Sequence, residues 1–357
     1  MKILHLHKGF YLNDFGGVER MAFELSKATQ KNGCKNVVIT ISNNTYFERD
    51  IKNVKVINFK RDFSLFNNPF SLNALIHFYK IQKKSDIVHL HYPNPFSDLA
   101  LLLTKKPTLI TYHSDIVGYD LLFRIYKFFR DIFYKNVSAF VFTSDIYLSS
   151  SKQLSEQIVK KSHVIPIGIS KLSTEKIKAK NKNKYFLMVC QIRKYKGLDI
   201  LFKIDTRSFG IKVIGGGHKL NYYKKKSKAL KKDIYFLGNV NESKKNSLLA
   251  DCIGVISTSN LRSEAFGISL LEGMMHGKPL ISMHNNTGTS LLNINDFNGY
   301  EFEDGDENEL QKYLELLANN ADKRSLLGQN SKKRYLELFR AELMAERYIA
   351  LYKQLLK

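Results

Sequence analysis

The sequence predicts an α/β chain built of two doubly wound, parallel-sheet domains. Three observations carry this. Apolar, β-rich runs alternate with helix-length segments from one end to the other. The 357 residues suffice for two domains at roughly 150 residues each. The alternation breaks once, in the polar and basic stretch 171–184, KLSTEKIKAKNKNK, as a linker or junction loop would.

The elements follow in order. Residues 2–7 read as a strand, and a loop ending in Gly16-Gly17 follows. Val18, Met21, Leu25 and Ala28 then recur at helical spacing until Gly33. Strands are expected at 37–41, 54–59, 87–91, 108–113 and 139–143, and after the polar stretch at 185–190, 212–214, 234–237, 253–257 and 280–283. The tail from Glu309 reads as helical, with Tyr335, Leu338 and Phe339 on one face. The expected division is 1–168, 169–335 and a C-terminal helix, 336–357, packing back towards the first domain. In doubly wound sheets ligands lie beyond the C-terminal strand ends. A central cleft faced by both domains is therefore the expected site.

Composition narrows the classes. With 44% hydrophobic and 25% charged residues the chain is globular, not disordered. No run reaches the ~18 apolar residues of a spanning helix, and the N-terminus lacks the pattern of a signal peptide. Cys34, Cys190 and Cys252 are sparse, odd in number and unpaired in spacing, which fits reduced thiols in a cytoplasmic protein. The net charge is +23, yet only 12 of the 56 basic residues are Arg. Nucleic-acid readers lean on Arg, so an anionic membrane surface is the better-fitting partner.

Several strand ends carry chemistry. Gly16-Gly17-Val18-Glu19 opens the first helix, where glycines and a helix N-terminus admit phosphate. It lacks the G-x-G-x-x-G spacing of a dinucleotide site. After the strand at 185–190, Gln191 and Arg193 alternate onto one face and Lys196 lies in the loop beyond. Gly215-Gly216-Gly217 ends the next strand. Each of these also reads as an ordinary turn or solvated basic loop. The sharpest pattern is Glu264-Ala265-Phe266-Gly267-Ile268-Ser269-Leu270-Leu271-Glu272, two carboxylates with seven residues between them across a helix start. It continues into Gly277-Lys278-Pro279, and Gly288-Thr289 offers a further helix start. A surface loop before an amphipathic helix is the plainer account of the same residues.

Together these segments resemble the E-x7-E region and other landmarks of the retaining family 4 glycosyltransferases (glycosyltransferases group 1). His113-Ser114-Asp115 and Pro166-Ile167-Gly168-Ile169 resemble that family too, all in the right order. The resemblance spans nearly the whole chain and implies the two-domain GT-B fold. It implies that Gly16 and Gly17 approach a donor diphosphate and that His113 lies near the transferred sugar. Lys196 would hold the diphosphate, Glu264 the sugar hydroxyls and Glu272 the ribose. Phe266, Gly267, Ile268, Gly288 and Thr289 would line the nucleotide sugar. The family usually places Arg five residues before that Lys; here Gln191 stands there, so the expectation is either that Arg193 substitutes as the cation or that activity is lowered or the donor altered.

The implied reaction moves a hexose from a UDP- or GDP-linked sugar to a growing, lipid-linked surface glycan of the O-antigen, capsule or lipopolysaccharide type. It runs without a metal or other cofactor, because fixed cations and helix N-termini stabilise the departing diphosphate. Retention is expected through same-face attack, with the leaving phosphate taking the acceptor's proton. The rivals are an epimerase of nucleotide sugars on the same fold, a non-catalytic relative, and a basic nucleic-acid binder. No nucleic-acid module is recognisable, which counts against the last.

Two weaker patterns remain. His5, His7, His89, His91 and His113 gather at strand ends in metal-like spacing, but local hydrogen bonding is the commoner use. Residues 119–135 crowd Leu122, Phe123, Ile125, Phe128, Phe129, Ile132 and Phe133 with Arg124, Lys127, Arg130 and Lys135. They read either as a core helix with a wet face or as an interfacial helix on anionic lipid, which would place the protein on the inner face of the plasma membrane.

Overall fold

In the computed structural model residues 1–9, 16–65, 68–170 and 184–357 are described, the side chain of Asp120 excepted. Most of the stretch expected as a linker, 171–183, thus lies outside the described residues. The chain divides into two compact units, Met1–Ser170 with Arg340–Lys357, and Lys171–Phe339.

Among the described residues the first unit holds ten strands: β1 (Lys2–His7), β2 (Lys35–Ser42), β3 (Phe47–Ile51), β4 (Val54–Lys60), β5 (Phe63–Leu65), β6 (Asn68–Phe70), β7 (Ile87–Tyr92), β8 (Thr108–Tyr112), β9 (Ala139–Phe142) and β10 (Ser162–Val164). Eight of them form one sheet in the order β10-β9-β8-β7-β1-β2-β4-β3. Every pairing in it is parallel except β3 on β4. The central strands β1 and β7 are buried on both faces from Ile3 to His7 and from Ile87 to Tyr92, with His5, His7, His89 and His91 set among their apolar residues. Helices α1 (Gly17–Lys31), α2 (Leu72–Gln82), α3 (Pro95–Leu101), α4 (Asp120–Phe133), α5 (Asp145–Ser150) and α6 (Glu156–Lys160) connect the strands. β1 lies between β2 and β7, so the winding reverses direction at the β1–β7 edge.

The second unit repeats the plan with six strands among its described residues: β11 (Tyr185–Val189), β12 (Gly210–Ile214), β13 (Ile234–Gly238), β14 (Gly254–Ser257), β15 (Leu280–Met283) and β16 (Gly299–Phe302). Their order is β13-β12-β11-β14-β15-β16, all parallel. Helices α7 (Leu220–Ala229), α8 (Glu242–Asp251), α9 (Ile268–Met275), α10 (Gly288–Leu292), α11 (Glu307–Asn319) and α12 (Ala321–Leu338) surround it. The winding reverses at the β11–β14 edge. The core runs from Phe186, Met188 and Ile211 through Ile256 and Ile281 to Leu310 and Leu314.

The tail is not one helix. α12 runs through Leu338, and α13 (Ala341–Leu355) then belongs to the first unit. Its alanines explain the close packing: Ala341 and Ala345 bury against Ala28 of α1. Gly168 lies against the Arg340 carbonyl, where a Cβ would come within 2.3 Å.

α4 corrects the reading of a core helix with a wet face. Arg130, one of the charged residues of α4, points inward at 0% exposure, while Leu121 and Phe128 stand 73% and 65% exposed. Arg130 is satisfied inside by Asp131 at 2.8 Å and the Gln153 carbonyl at 2.8 Å. Ile125, Phe129 and Ile132 are also exposed. Among the described residues no helix is long and apolar enough to cross a membrane.

Candidate functional site

In the second unit the strand continues past β11 by pairing: Cys190 N donates to Ile214 O at 2.9 Å and Ile192 N to Gly216 O at 2.7 Å. Cys190 and Ile192 are buried and Gln191 and Arg193 exposed, so the last two share the open face. The glycine triplet makes this pairing possible. Gly215 sits at φ +135, and a Cβ there would come 1.8 Å from the Cys190 carbonyl.

The chain then turns through Lys194–Lys196 in a 3-10 turn. Gly197 closes the turn at φ +61, where a Cβ would stand 2.2 Å from the Thr258 carbonyl. Thr258, just beyond β14, donates its hydroxyl to Lys196 O at 2.5 Å. Lys196 is thus fixed at the edge where the winding reverses. Its ammonium is ion-paired to Glu264, and Ser259 Oγ donates to the same carboxylate at 3.4 Å. Burial works against the Lys196 charge, but the Glu264 carboxylate outweighs it and holds the ammonium above its usual range.

The loop after Glu264 is stitched to the start of α10. Gly288 N donates to Ala265 O at 2.8 Å, and Thr287 Oγ1 to Glu264 O at 2.9 Å. Asn285 Oδ1 accepts from Thr289 Oγ1 at 2.7 Å. Gly267 caps α9 in the left-handed region, and Ile268 is its first residue. The α9 N-terminus, half-buried at Ile268 and Ser269, thus follows the Glu264 loop closely, a favourable place for negative charge. The Phe266 ring is buried against Phe339, so what Phe266 can offer a ligand is its backbone.

Glu272 lies on the buried side of α9 and is held by Lys245 of α8, Nζ to Oε1 at 2.6 Å. Lys245 also reaches Glu242 at 2.9 Å. Sequence reasoning missed Lys245. Its only signal was a Glu242–Lys245 pair at i,i+3, which ordinarily reads as solvated surface.

In the first unit, Gly16 and Gly17 open α1. The glycine at 16 makes room for a carboxylate: a Cβ there would stand 1.8 Å from Glu19 Oε2. His113 follows β8, with its amide donating to Tyr92 O at 3.0 Å. Its Nε2 lies 2.9 Å from His91 Nδ1. The strand-end histidines form one buried layer, and among the described residues His5, His89 and His91 hold ligand-type atoms within 4.8 Å of one another. Both His89 nitrogens are hydrogen-bonded, to Tyr352 Oη and Thr111 Oγ1 at 2.7 Å each. The structure thus groups Lys196, Glu264, Gly267, Gly288 and Thr289 in one unit, and His113, Gly16 and Gly17 in the other.

Two doubly wound units, each with charged groups and glycines gathered at the reversal of its sheet, have the architecture of GT-B enzymes. Residues 170–334 match the family of glycosyl transferases group 1, and residues 15–171 match Glycosyltransferase Family 4. The O-antigen chain mannosyltransferase C of Escherichia coli is 33% identical over 370 residues, covering 100% of this chain and 99% of that one. The D-rhamnosyltransferase WbpZ of Pseudomonas aeruginosa is 32% identical, covering 96% and 93%. The crystal structure of Anabaena Alr3699/HepE in complex with UDP and glucose has the same fold, with TM-score 0.79, 16% identity and coverage of 99% and 100%. The chain belongs to the group 1 glycosyltransferases: it is a GT-B glycosyltransferase.

Proposed function

We propose that the enzyme transfers a manno-configured hexose, mannose or its 6-deoxy form D-rhamnose, from a GDP-linked donor to a growing, lipid-linked O-antigen type glycan, with retention of the anomeric configuration. The observation that carries the donor site is the buried Lys196 ammonium beside Glu264 at the β11–β14 edge. The mannosyl and D-rhamnosyl relatives support the sugar class.

Lys196 and the α9 N-terminus take the negative charge that builds on the diphosphate as the anomeric C–O bond breaks. Arg193, on the open face, adds a second cation. Glu264 then turns to the sugar hydroxyls, and Glu272 accepts from the ribose. The acceptor oxygen bonds the anomeric carbon on the face the diphosphate leaves, and its proton passes to the departing phosphate oxygen. No carboxylate nucleophile is required; a trapped glycosyl–enzyme adduct would overturn this route. His113 hydrogen-bonds the transferred sugar. Neither step draws on a metal, and within the histidine layer both His89 nitrogens are already hydrogen-bonded.

The exposed apolar face of α4, with Arg124 and Lys135 exposed beside it, supports docking on an anionic bilayer, as a lipid-linked acceptor requires. In this reading the enzyme works at the inner face of the plasma membrane. The deciding experiment incubates the enzyme with GDP- or UDP-sugars, with and without a lipid-linked glycan. Acceptor-dependent release of GDP with an α-linked product from the α-donor supports the reading. An epimerised donor without acceptor would replace it with an epimerase.

A further inference from the structure

Five histidines fill one layer of the first unit: His5 and His7 on β1, His89 and His91 on β7, and His113 after β8. All are buried, and desolvation holds each imidazole below its ordinary pKa. They are therefore neutral at neutral pH, with one N–H and one lone pair each, so each hydrogen bond selects a tautomer.

His5 shows how the selection works. Asn36 donates its amide to Ser26 O at 2.9 Å and to Thr29 Oγ1 at 3.0 Å, which leaves Asn36 Oδ1 as an acceptor. His5 Nε2, 3.3 Å away, is then the donor. The bare nitrogen is Nδ1, which is the His5 atom buried without a partner.

His91 obeys the same logic. Its Nδ1 meets His113 Nε2 at 2.9 Å, with the rings within 18° of parallel, and its Nε2 is buried without a partner. A proton on Nε2 would bury an unpaired N–H; a proton on Nδ1 leaves only an unpaired lone pair. Buried orphan donors are the rarer and costlier of the two.

We propose that His91 is a positioning residue that donates from Nδ1 to His113 Nε2, so that His113 carries its proton on Nδ1 and presents a fixed, neutral N–H donor to the transferred sugar. The sugar contact rests on the reading under Proposed function; the tautomer does not. Among the described residues His113 Nδ1 has no hydrogen-bond partner, which leaves it free for substrate.

The test uses the intact chain labelled with 15N-histidine. Long-range proton–nitrogen correlation at neutral pH, with His113 assigned from a His113→Gln spectrum, should show a protonated Nδ1 and a bare Nε2. His91→Asn keeps a donor at the Nδ1 place and should retain that signature; His91→Phe should lose it. In kinetics, His91→Phe should lower kcat roughly ten- to hundredfold, the scale of a misplaced hydrogen-bonding group, with donor KM little changed. His91→Asn should restore most of the rate, and His91→Phe with His113→Gln should be no slower than His113→Gln alone. A native His113 protonated on Nε2, or a His91→Phe enzyme with unchanged kcat and tautomer, overturns the proposal. A native Nδ1–H His113 whose removal leaves kcat and KM untouched keeps the tautomer and instead sinks the placement of His113 at the sugar.

Discussion

The Lys196 ammonium is bound by the Glu264 carboxylate, with both side chains largely sealed from solvent. In the absence of donor, these two groups satisfy each other. In the proposed function, a donor diphosphate competes with Glu264 for the lysine and frees the carboxylate for sugar hydroxyls. Lys196→Met should therefore lower turnover by about 100-fold or more, the range seen when one preorganised stabilising group is lost, while circular dichroism reports a native fold. Undiminished turnover in steady-state assays would remove Lys196 from the site.

Glu264→Gln separates binding from chemistry. It leaves the lysine buried without its counter-charge, so the ligand-free enzyme should lose on the order of 3 kcal/mol of stability. Bound nucleotide diphosphate supplies that charge, so the rise in Tm on adding GDP should be larger than in the wild type. Turnover should still fall. Thermal shift with and without GDP checks the first two statements, and an equal or smaller GDP shift contradicts them.

Lys245 holds Glu272 rather than touching the reaction. Lys245→Met should raise the donor KM about tenfold, as the loss of a ligand-orienting partner does, and leave kcat nearly unchanged. An unchanged KM with a lowered kcat would argue against a ribose role for Glu272.

How much of this was legible in sequence depends on how local the cause is. Strand periodicity and punctuating glycines located β1 and β15 residue for residue, and the two-carboxylate spacing found the loop that carries Glu264. β3, FERDI, is a charged antiparallel edge strand with no apolar run to betray it. The inverted α4 was undecidable because apolar residues cover much of its circumference. What turns Arg130 inward is the Gln153 carbonyl, 23 residues away. The Lys245–Glu272 and His91–His113 pairs likewise join residues 27 and 22 apart, distances over which side-chain spacing says nothing.

Acid should unfold the first unit early. His5 is held at about 4, against 6.5 for an ordinary histidine, and the other four histidines of the layer are also lowered. Below pH 6.5 the unfolded chain takes up protons that the folded chain refuses, so stability falls as pH drops from 6.5 towards the folded values. Each histidine contributes a slope of about 1.4 kcal/mol per pH unit in that window. Asp98, raised to about 6 by burial, acts in the opposite direction between pH 6 and 4 and offsets only one of the five. The urea midpoint should drop sharply between pH 7 and 5.5; a flat profile would show that the layer is not buried neutral.

α4 offers a test independent of the chemistry. Leu121→Asp with Phe128→Asp should abolish co-sedimentation with vesicles containing anionic lipid, while turnover of a water-soluble acceptor stays unchanged. The wild type should ignore purely zwitterionic vesicles. Equal binding to both vesicle types, or to neither, contradicts an electrostatically assisted membrane face.

Titration calorimetry of GDP into the wild type and Lys196→Met tests the donor site most directly. Saturable binding of one GDP per chain is expected, weakened by about 30-fold or more in the variant, as loss of a charge-assisted contact to phosphate implies. Equal affinities in the two proteins, or a wild type that takes up UDP and not GDP, would contradict it.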